Sequence, residues 1–379
     1  MACQPQTVTL VATDTLRIRK PTDLYPKNSC AVGYSHDSLR GQEHFYFLDR
    51  TTNTLLHTQR PAGKPHPAPL ELQRINLQHL FNQSPAPIEA MGVFSPDSLI
   101  FVAGDAHNLC LTNARGVIRQ QWQPRSPIYG REEYFIDTAL QPIYTHGSLA
   151  YLHCGPDDLG MITADTATFH RFLRYKTGFV VNVRDTNRAN NNTGQFPAFL
   201  SAKHNFGVMA PQSCVAPNGD YLFTYGPFSE IYRCSLAGER QVVDAPSRHH
   251  RPARELPFAL WKEYQPLLQY RLSEPEYGPI IHDPYRHRYL RVYRHGMPTA
   301  ANQAVRPSYA DMPWSLMILD EKLRVVGEID MAPIFDPRLV LPTQRGVLIG
   351  NQRPENPSYD PHYLSFQLFT YRAAQGPSS

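Results

Sequence analysis

The sequence predicts an all-β fold: a single six-bladed β-propeller of four-stranded antiparallel blades, its ring closed by strands from both ends of the chain. Three observations predict it. The composition is globular and strand-rich, 41% apolar and 18% charged, with 35 prolines against 22 glycines. Prolines at that density mark turns and strand edges and leave little room for long helices. The 21 tyrosines and 18 phenylalanines fall mostly in short alternating runs, as strands favour. Second, one unit recurs: an apolar run, a polar turn opened by Asp, Asn or Ser, and a second apolar run. Third, a different hairpin-like unit precedes each copy, and a sixth stands near the C-terminus. Two hairpins make four antiparallel strands, which is one propeller blade.

Taken in order, "VTLVATDTLRI" (Val8 to Ile18) alternates well and is held back for the end of the ring. The first blade joins "CAVGYSHDSLRGQEHFYFLD" to a hairpin turning at Asp49. The second turns around Ser95-Pro96-Asp97 and again at Asn113. The third turns around His146-Gly147 and then, in "MITADTATFHRFL", at Asp165. The fourth turns at Asn218-Gly219, a strong hairpin signal, and at Ser235. The fifth turns after Asp283-Pro284 and at Asp320. The sixth has a hairpin around Gln344-Arg345-Gly346 and a third strand in "HYLSFQLFTY", so its outer strand is expected from the N-terminus, removing two sheet edges.

Successive closing turns lie farther apart than the about 40–50 residues of a compact blade, so the blades carry insertions. "RPAGKPHPAP" reads as a proline-rich connection and "RDTNRANNNTGQFP" as a polar loop. "ALWKEYQPLLQY" reads as a short helix on a crossing, with Leu260, Tyr264, Leu267 and Leu268 at helical spacing. The expected organisation is a tether over 1–7, one propeller over 8–372 and a tail over 373–379.

The net charge of +4 is too mild to argue for nucleic acid as a partner. No stretch approaches the about 18 apolar residues of a membrane-spanning helix. The six cysteines form no CxxC pair, and Cys110, Cys154, Cys214 and Cys234 lie in apolar strand-like runs, where buried free thiols are expected. The opening "MACQPQTVTL" shows no apolar signal segment. Its Ala2-Cys3 pair fits both an ordinary N-terminus and the junction of a lipoprotein signal with its acylated cysteine.

"YGPIIHDPYRHRYLRVYRHG", "WSLMILDEKLRVVGEIDM" and "VLPTQRGVLIGNQ" resemble a family of uncharacterised Gram-negative lipoproteins, a domain of unknown function with a six-bladed, TolB-like propeller. Ile281-His282-Asp283, Tyr289-Leu290-Arg291 and Ile318-Leu319-Asp320-Glu321 stand at its recurring motifs, with His282 and Leu290 departing from the usual residues. The likeness runs from about Tyr277 to Tyr371 and is architectural elsewhere. It implies an exported, lipid-anchored protein acylated at Cys3, with Gln4 suiting outer-membrane sorting. It implies no catalytic residues.

The residue-dense stretch is "HDPYRHRYLRVYRH", His282 to His295. Read as a strand from Tyr285, it places Tyr285, His287, Tyr289, Arg291, Tyr293 and His295 on one face. Arg286, Arg288, Leu290, Val292 and Arg294 fall on the other. His287 and His295 then stand about 26 Å apart and do not share an ion. Arg286, Arg288 and Arg294 form a one-face basic patch able to take phosphate or a sulfated sugar, with Glu274 and Glu276 close enough in sequence to neutralise it. "SRHHRPARE", with His249-His250-Arg251, reads as a solvated basic loop. Where the innermost strands begin, Glu89, Asp137, Tyr277 and Asp336 are expected along the central channel, its carboxylates able to bind channel water or, alternatively, Ca²⁺ or another divalent cation. GxSxG, Walker, HExxH and Asp-box motifs are absent. The sequence thus favours a monomeric cell-envelope binding module for a protein or glycan, without cofactor. The alternative is a metal-dependent hydrolase or lactonase working in the channel.

Overall fold

The computed structural model describes residues 8–20, 30–62, 69–81, 88–103, 108–122, 142–153, 173–174, 176–185, 191–197, 206, 211–261, 263–297, 311–351, 353 and 356–373. These build six four-stranded antiparallel sheets. Blade I is β2 (Cys30–Asp37), β3 (Gln42–Asp49), β4 (Thr54–Pro61) and β5 (Gln73–Asn76). Blade II is β6 (Ile88–Ser95), β7 (Ser98–Ala103), β8 (Leu109–Thr112) and β9 (Ile118–Trp122). Blade III is β10 (Tyr144–His146), β11 (Leu149–His153), β12 (Gly178–Asn182) and β13 (Asn191–Thr193). Blade IV is β14 (Gln212–Val215), β15 (Tyr221–Thr224), β16 (Glu230–Cys234) and β17 (Arg240–Asp244). Blade V is β18 (Glu276–Asp283), β19 (Arg288–Arg294), β20 (Trp314–Leu319) and β21 (Val325–Met331). Blade VI is β22 (Val340–Thr343), β23 (Gly346–Gly350), β24 (Tyr363–Ala373) and, outermost, the N-terminal β1 (Val8–Arg19).

The first strand of each blade touches the first strand of the next: β2, β6, β10, β14, β18, β22 and back to β2. That closed circuit puts the six leading strands around the central axis. The ring is locked as expected. β1 pairs along its length with β24, from Val8 opposite Ala373 to Arg19 opposite Tyr363. It also touches β21 of blade V, and its Ile18 bridges to Leu70 in the connection between β4 and β5 of blade I. No sheet edge is left between the termini.

The core consists of six clusters, one between each pair of neighbouring blades. A middle strand is therefore buried on both faces. In β15, Tyr221 and Phe223 point toward blade III while Leu222 points toward blade V. This is why these strands read as unbroken apolar runs. Cys110, Cys214 and Cys234 are buried free thiols. Burial pushes the Cys110 thiol up to about 12.

Blade III departs from the sequence reading. Its last two strands are "GFVVN" and "NNT", so part of "RDTNRANNNTGQFP" is this blade's own fourth strand. "MITADTATFHRFL" lies outside the described residues except Leu173. A polar three-residue strand carries almost no apolar signal, so the eye moves to the earlier alternating run. The expected helix is present as two short pieces, α1 (Phe258–Trp261) and α2 (Tyr264–Ser273). Leu267 and Tyr270 of α2 pack against the core shared by blades III and IV.

Candidate functional site

The chain from blade IV to blade V, residues 245–275, is the crossing that carries α1 and α2. Its basic residues are exposed, as expected, while its backbone is tied down. Ala245, Ser247 and Leu256 are buried, while Pro246, Arg248, His249, His250, Arg251, Pro252, Arg254 and Glu255 are exposed between them. Blade V supplies the seat. Across it, Tyr277 pairs with Tyr293, Tyr293 with Ser315, and Ser315 with Asp330. Directly opposed residues on antiparallel strands project to the same side, so these four side chains form one row. Glu328, two residues before Asp330, projects with them.

The crossing is tied to that row group by group. Ser247 Oγ donates to Glu328 Oε1 at 2.6 Å and the Arg248 amide donates to Glu328 Oε2 at 2.7 Å. Ser315 Oγ shares Glu328 Oε1 from below. The Ser247 amide donates to the Tyr277 hydroxyl at 3.0 Å, which also meets His250 Nδ1 at 3.0 Å. The Tyr293 hydroxyl accepts from the Arg251 amide and donates to the His249 carbonyl. Arg254, from the exposed side, holds the buried Glu274 through Nε at 2.7 Å.

Beneath the row, Arg291 of β19 is completely buried. Its guanidinium donates to the Ser229, Phe228 and Ala245 carbonyls of blade IV and to Thr224 Oγ1, and lies 4.0 Å over the Tyr277 ring. Loss of solvation lowers its pKa to about 10. Four oxygens in fixed positions stand in for a carboxylate partner.

At the outer end of the row, His249, His295 and Asp330 bring ligand-type atoms within 4.8 Å of one another, the one such group of three or more among the described residues. His249 Nε2 lies 2.8 Å from Asp330 Oδ1, and Arg248 Nη2 lies 2.6 Å from Asp330 Oδ2. The His249 and His295 rings are 4.3 Å apart, centroid to centroid. Burial, then the neighbouring His249, lowers the pKa of His295. Burial disfavours the Asp330 carboxylate, but its hydrogen bonds from Arg248 and His249 outweigh this and hold it below the usual range.

The sequence-derived sites fare differently. Arg286, Arg288 and Arg294 are not brought together. Asp283 Oδ1 accepts from the Tyr285 amide, and His287 takes φ +52°, so the chain turns until Arg288 and β19 starts there. Arg286 therefore leaves the strand face. It binds the buried Asp283 and the Thr343 and Gln344 carbonyls of blade VI. Arg294, at the far end of β19 and about 20 Å from its start, is buried with Glu276 Oε2 at 3.7 Å. Tyr277 does not line the channel. Its ring sits in the core between blades IV and V, 4.6 Å from Tyr293. Asp336 is engaged by Arg338 through Nη2 at 2.7 Å, which outweighs burial and keeps it ionised. Glu89 is half-buried on β6 and has an interaction partner of its own. Asp137 and Cys3 lie outside the described residues.

The His249, His295 and Asp330 grouping is absent from the sequence reading. No spacing announces it, because the three residues come from a crossing, the end of β19 and the end of β21. A usable signal existed: Asp330 and His295 flank the blade V strands at the end from which the crossing arrives.

The fold has close parallels. A solved member of the DUF4221 family from Bacteroides vulgatus superposes with a TM-score of 0.76 at 15% identity, over 98% of this chain and 100% of that one. The architecture is that of a six-bladed propeller of this kind. A luciferin-regenerating enzyme (TM-score 0.45, 8% identity, 96% of each chain) is a remoter likeness. So is a calcium-binding regucalcin from Agrobacterium tumefaciens (TM-score 0.44, 10% identity, 91% of this chain and 90% of that one). Neither bears on chemistry. No protein-family model matches the sequence, and no curated protein is similar to it.

Proposed function

We propose that the chain is a non-catalytic binding module of the cell envelope, presenting the blade IV–V crossing and its end of the propeller to a protein or glycan partner. The observation that carries the reading is the construction of the crossing. Its backbone is fastened at the Ser247, Arg248, Arg251 and Arg254 amides, yet the side chains of Arg248, His249, His250, Arg251 and Arg254 stand out in solvent. Between Pro246 and Pro257 it carries three arginines and two histidines. Asp330 and Glu274 already pair with Arg248 and Arg254, so the surface offers a partner hydrogen-bonding groups rather than a strong net charge. A surface that is already ordered loses little entropy on binding. The envelope location and the lipid anchor at Cys3 rest on the resemblance over Tyr277 to Tyr371 and on the Ala2-Cys3-Gln4 sequence.

A photo-crosslinking residue placed at position 254 is expected to capture the partner in cells. One at Leu39, 96% exposed on the opposite face, is expected to capture nothing. Equal capture from both positions removes the proposal.

A further inference from the structure

We propose that His249, His295 and Asp330 form a zinc-class metal site that clasps the crossing to the ends of β19 and β21. This does not depend on the binding reading: a metal clasp can exist without a partner, and a partner surface without a metal. Two imidazoles and one carboxylate are the donor set of Zn²⁺ and its borderline neighbours. Ca²⁺ takes six to eight oxygens and is a poor match. Zinc ligands sit about 2.0–2.2 Å from the ion. The three groups therefore close by roughly an ångström around it, which the exposed side chains of His249 and Asp330 can supply. Their backbones are already fixed. The His249 carbonyl is held by Tyr293, the His295 amide by the Pro313 carbonyl at 2.9 Å, and the His295 carbonyl by Arg251. Such outer partners set the orientation of metal ligands.

Two features of the arrangement ask for a cation. The first is a conflict at His249 Nε2. It lies 2.8 Å from Asp330 Oδ1 and also accepts from Arg248 Nε at 3.0 Å. A ring nitrogen is either a donor or an acceptor. Protonated, it serves Asp330 and opposes Arg248; bare, it serves Arg248 and opposes Asp330. An ion between Nε2 and Oδ1 satisfies both as ligands. The second feature is His295 Nε2, which is buried and meets no hydrogen-bond partner among the described residues. Leaving such a group unsatisfied is destabilising. Arg248 then has a definite role. It is a built-in competitor that occupies the cation's place when no metal is bound, and it retains Asp330 Oδ2 when one is.

The test uses the full chain, stripped with a chelator and titrated with Zn²⁺ by calorimetry, with Co²⁺ visible absorption as the ligand-field readout. The wild type is expected to bind one equivalent of Zn²⁺ in preference to Ca²⁺. His295→Gln and Asp330→Asn are each expected to lower the affinity by more than about 100-fold, beyond the loss typical of an outer partner. Arg248→Met, which removes the competitor, is expected to raise it. Thermal unfolding of the stripped variants separates a lost site from a lost fold. The proposal is overturned by unchanged affinity in folded His295→Gln and Asp330→Asn, by preference for Ca²⁺, or by weaker binding in Arg248→Met.

Discussion

The two faces of β19 hold the same strand to its two neighbours by different physics. Toward blade VI, Leu290 and Val292 join Trp314, Leu316, Ile318, Val347 and Ile349 in an apolar cluster. Toward blade IV, Tyr289, Arg291 and Tyr293 meet a mixed surface, and Arg291 spends its hydrogen bonds on blade IV carbonyls. The apolar interface gains from area removed from water and tolerates small shifts. The polar one is directional: it works only while carbonyls, phenols and guanidinium keep their places. The directional interface is also the one whose polar groups continue upward into the crossing. Strand parity thus separates a packing face from a face that positions a surface.

The sharpest way to break the comparison is Arg291→Met against Leu290→Ala. Arg291→Met leaves the Ser229, Phe228 and Ala245 carbonyls and Thr224 Oγ1 buried without their donor. A loss of about 3–5 kcal/mol is expected, since each buried acceptor left without a donor costs about 1–3 kcal/mol. Leu290→Ala opens a cavity and is expected to cost about 2–4 kcal/mol. The distinguishing readout is hydrogen exchange. Arg291→Met should deprotect residues 245–251 selectively, whereas Leu290→Ala should act on the fold as a whole. Equal exchange profiles would show that the two faces are not different in kind.

Much of this was legible because propeller strands announce themselves in pairs. Asp49, Asn113, Ser235 and Asp320 open the turns where the spacing put them, and Val8 to Ile18 closes the ring. Parity also separated Leu290 and Val292 from Tyr289, Arg291 and Tyr293. Blade III was misread because "NNT" is a strand by pairing alone, without an apolar face. The arginine patch was misread because Asp283 extends the turn and removes Arg286 from the strand, a shift that a period of two cannot reveal. His249 is exposed as expected, but nothing in a local window shows that Glu328 and Tyr293 will hold its neighbours. Long-range polar contacts carry no sequence period, and the candidate site is made of them.

Acid sharpens the comparison at blade IV's other flank. There the contact toward blade III includes His153, buried with Nε2 at 2.7 Å from Ser213 Oγ. Desolvation lowers its pKa to about 3. A histidine depressed below its ordinary value of about 6.5 gives its full contribution above that pH. The contribution is lost as pH falls from about 6.5 toward 3, because the unfolded chain takes up the proton first. His57, at about 4 through burial and then the adjacent His44, acts in the same direction. Arg291 keeps its charge throughout this window. Melting temperature should therefore fall between pH 6.5 and 4, and His153→Gln should flatten part of that fall while Arg291→Lys leaves its slope unchanged. An unchanged slope in His153→Gln would remove His153 from the account.

The smallest expected effect isolates the link between face and surface. Tyr293→Phe keeps the ring, which stays packed at a tilt against Tyr277, and deletes only the hydroxyl. Two hydrogen bonds go, from the Arg251 amide at 3.3 Å and to the His249 carbonyl at 3.2 Å. Both lost partners belong to exposed residues, so water replaces the hydroxyl and the global cost should be about 1 kcal/mol or less. The crossing should respond more than the melting temperature does. Exchange at the Arg251 amide is expected to quicken, while amides of β20, which the hydroxyl never touches, keep their rates. If Arg251 exchanges as slowly as before, the crossing is held by Glu328 and Tyr277 alone, and Tyr293 serves only the core.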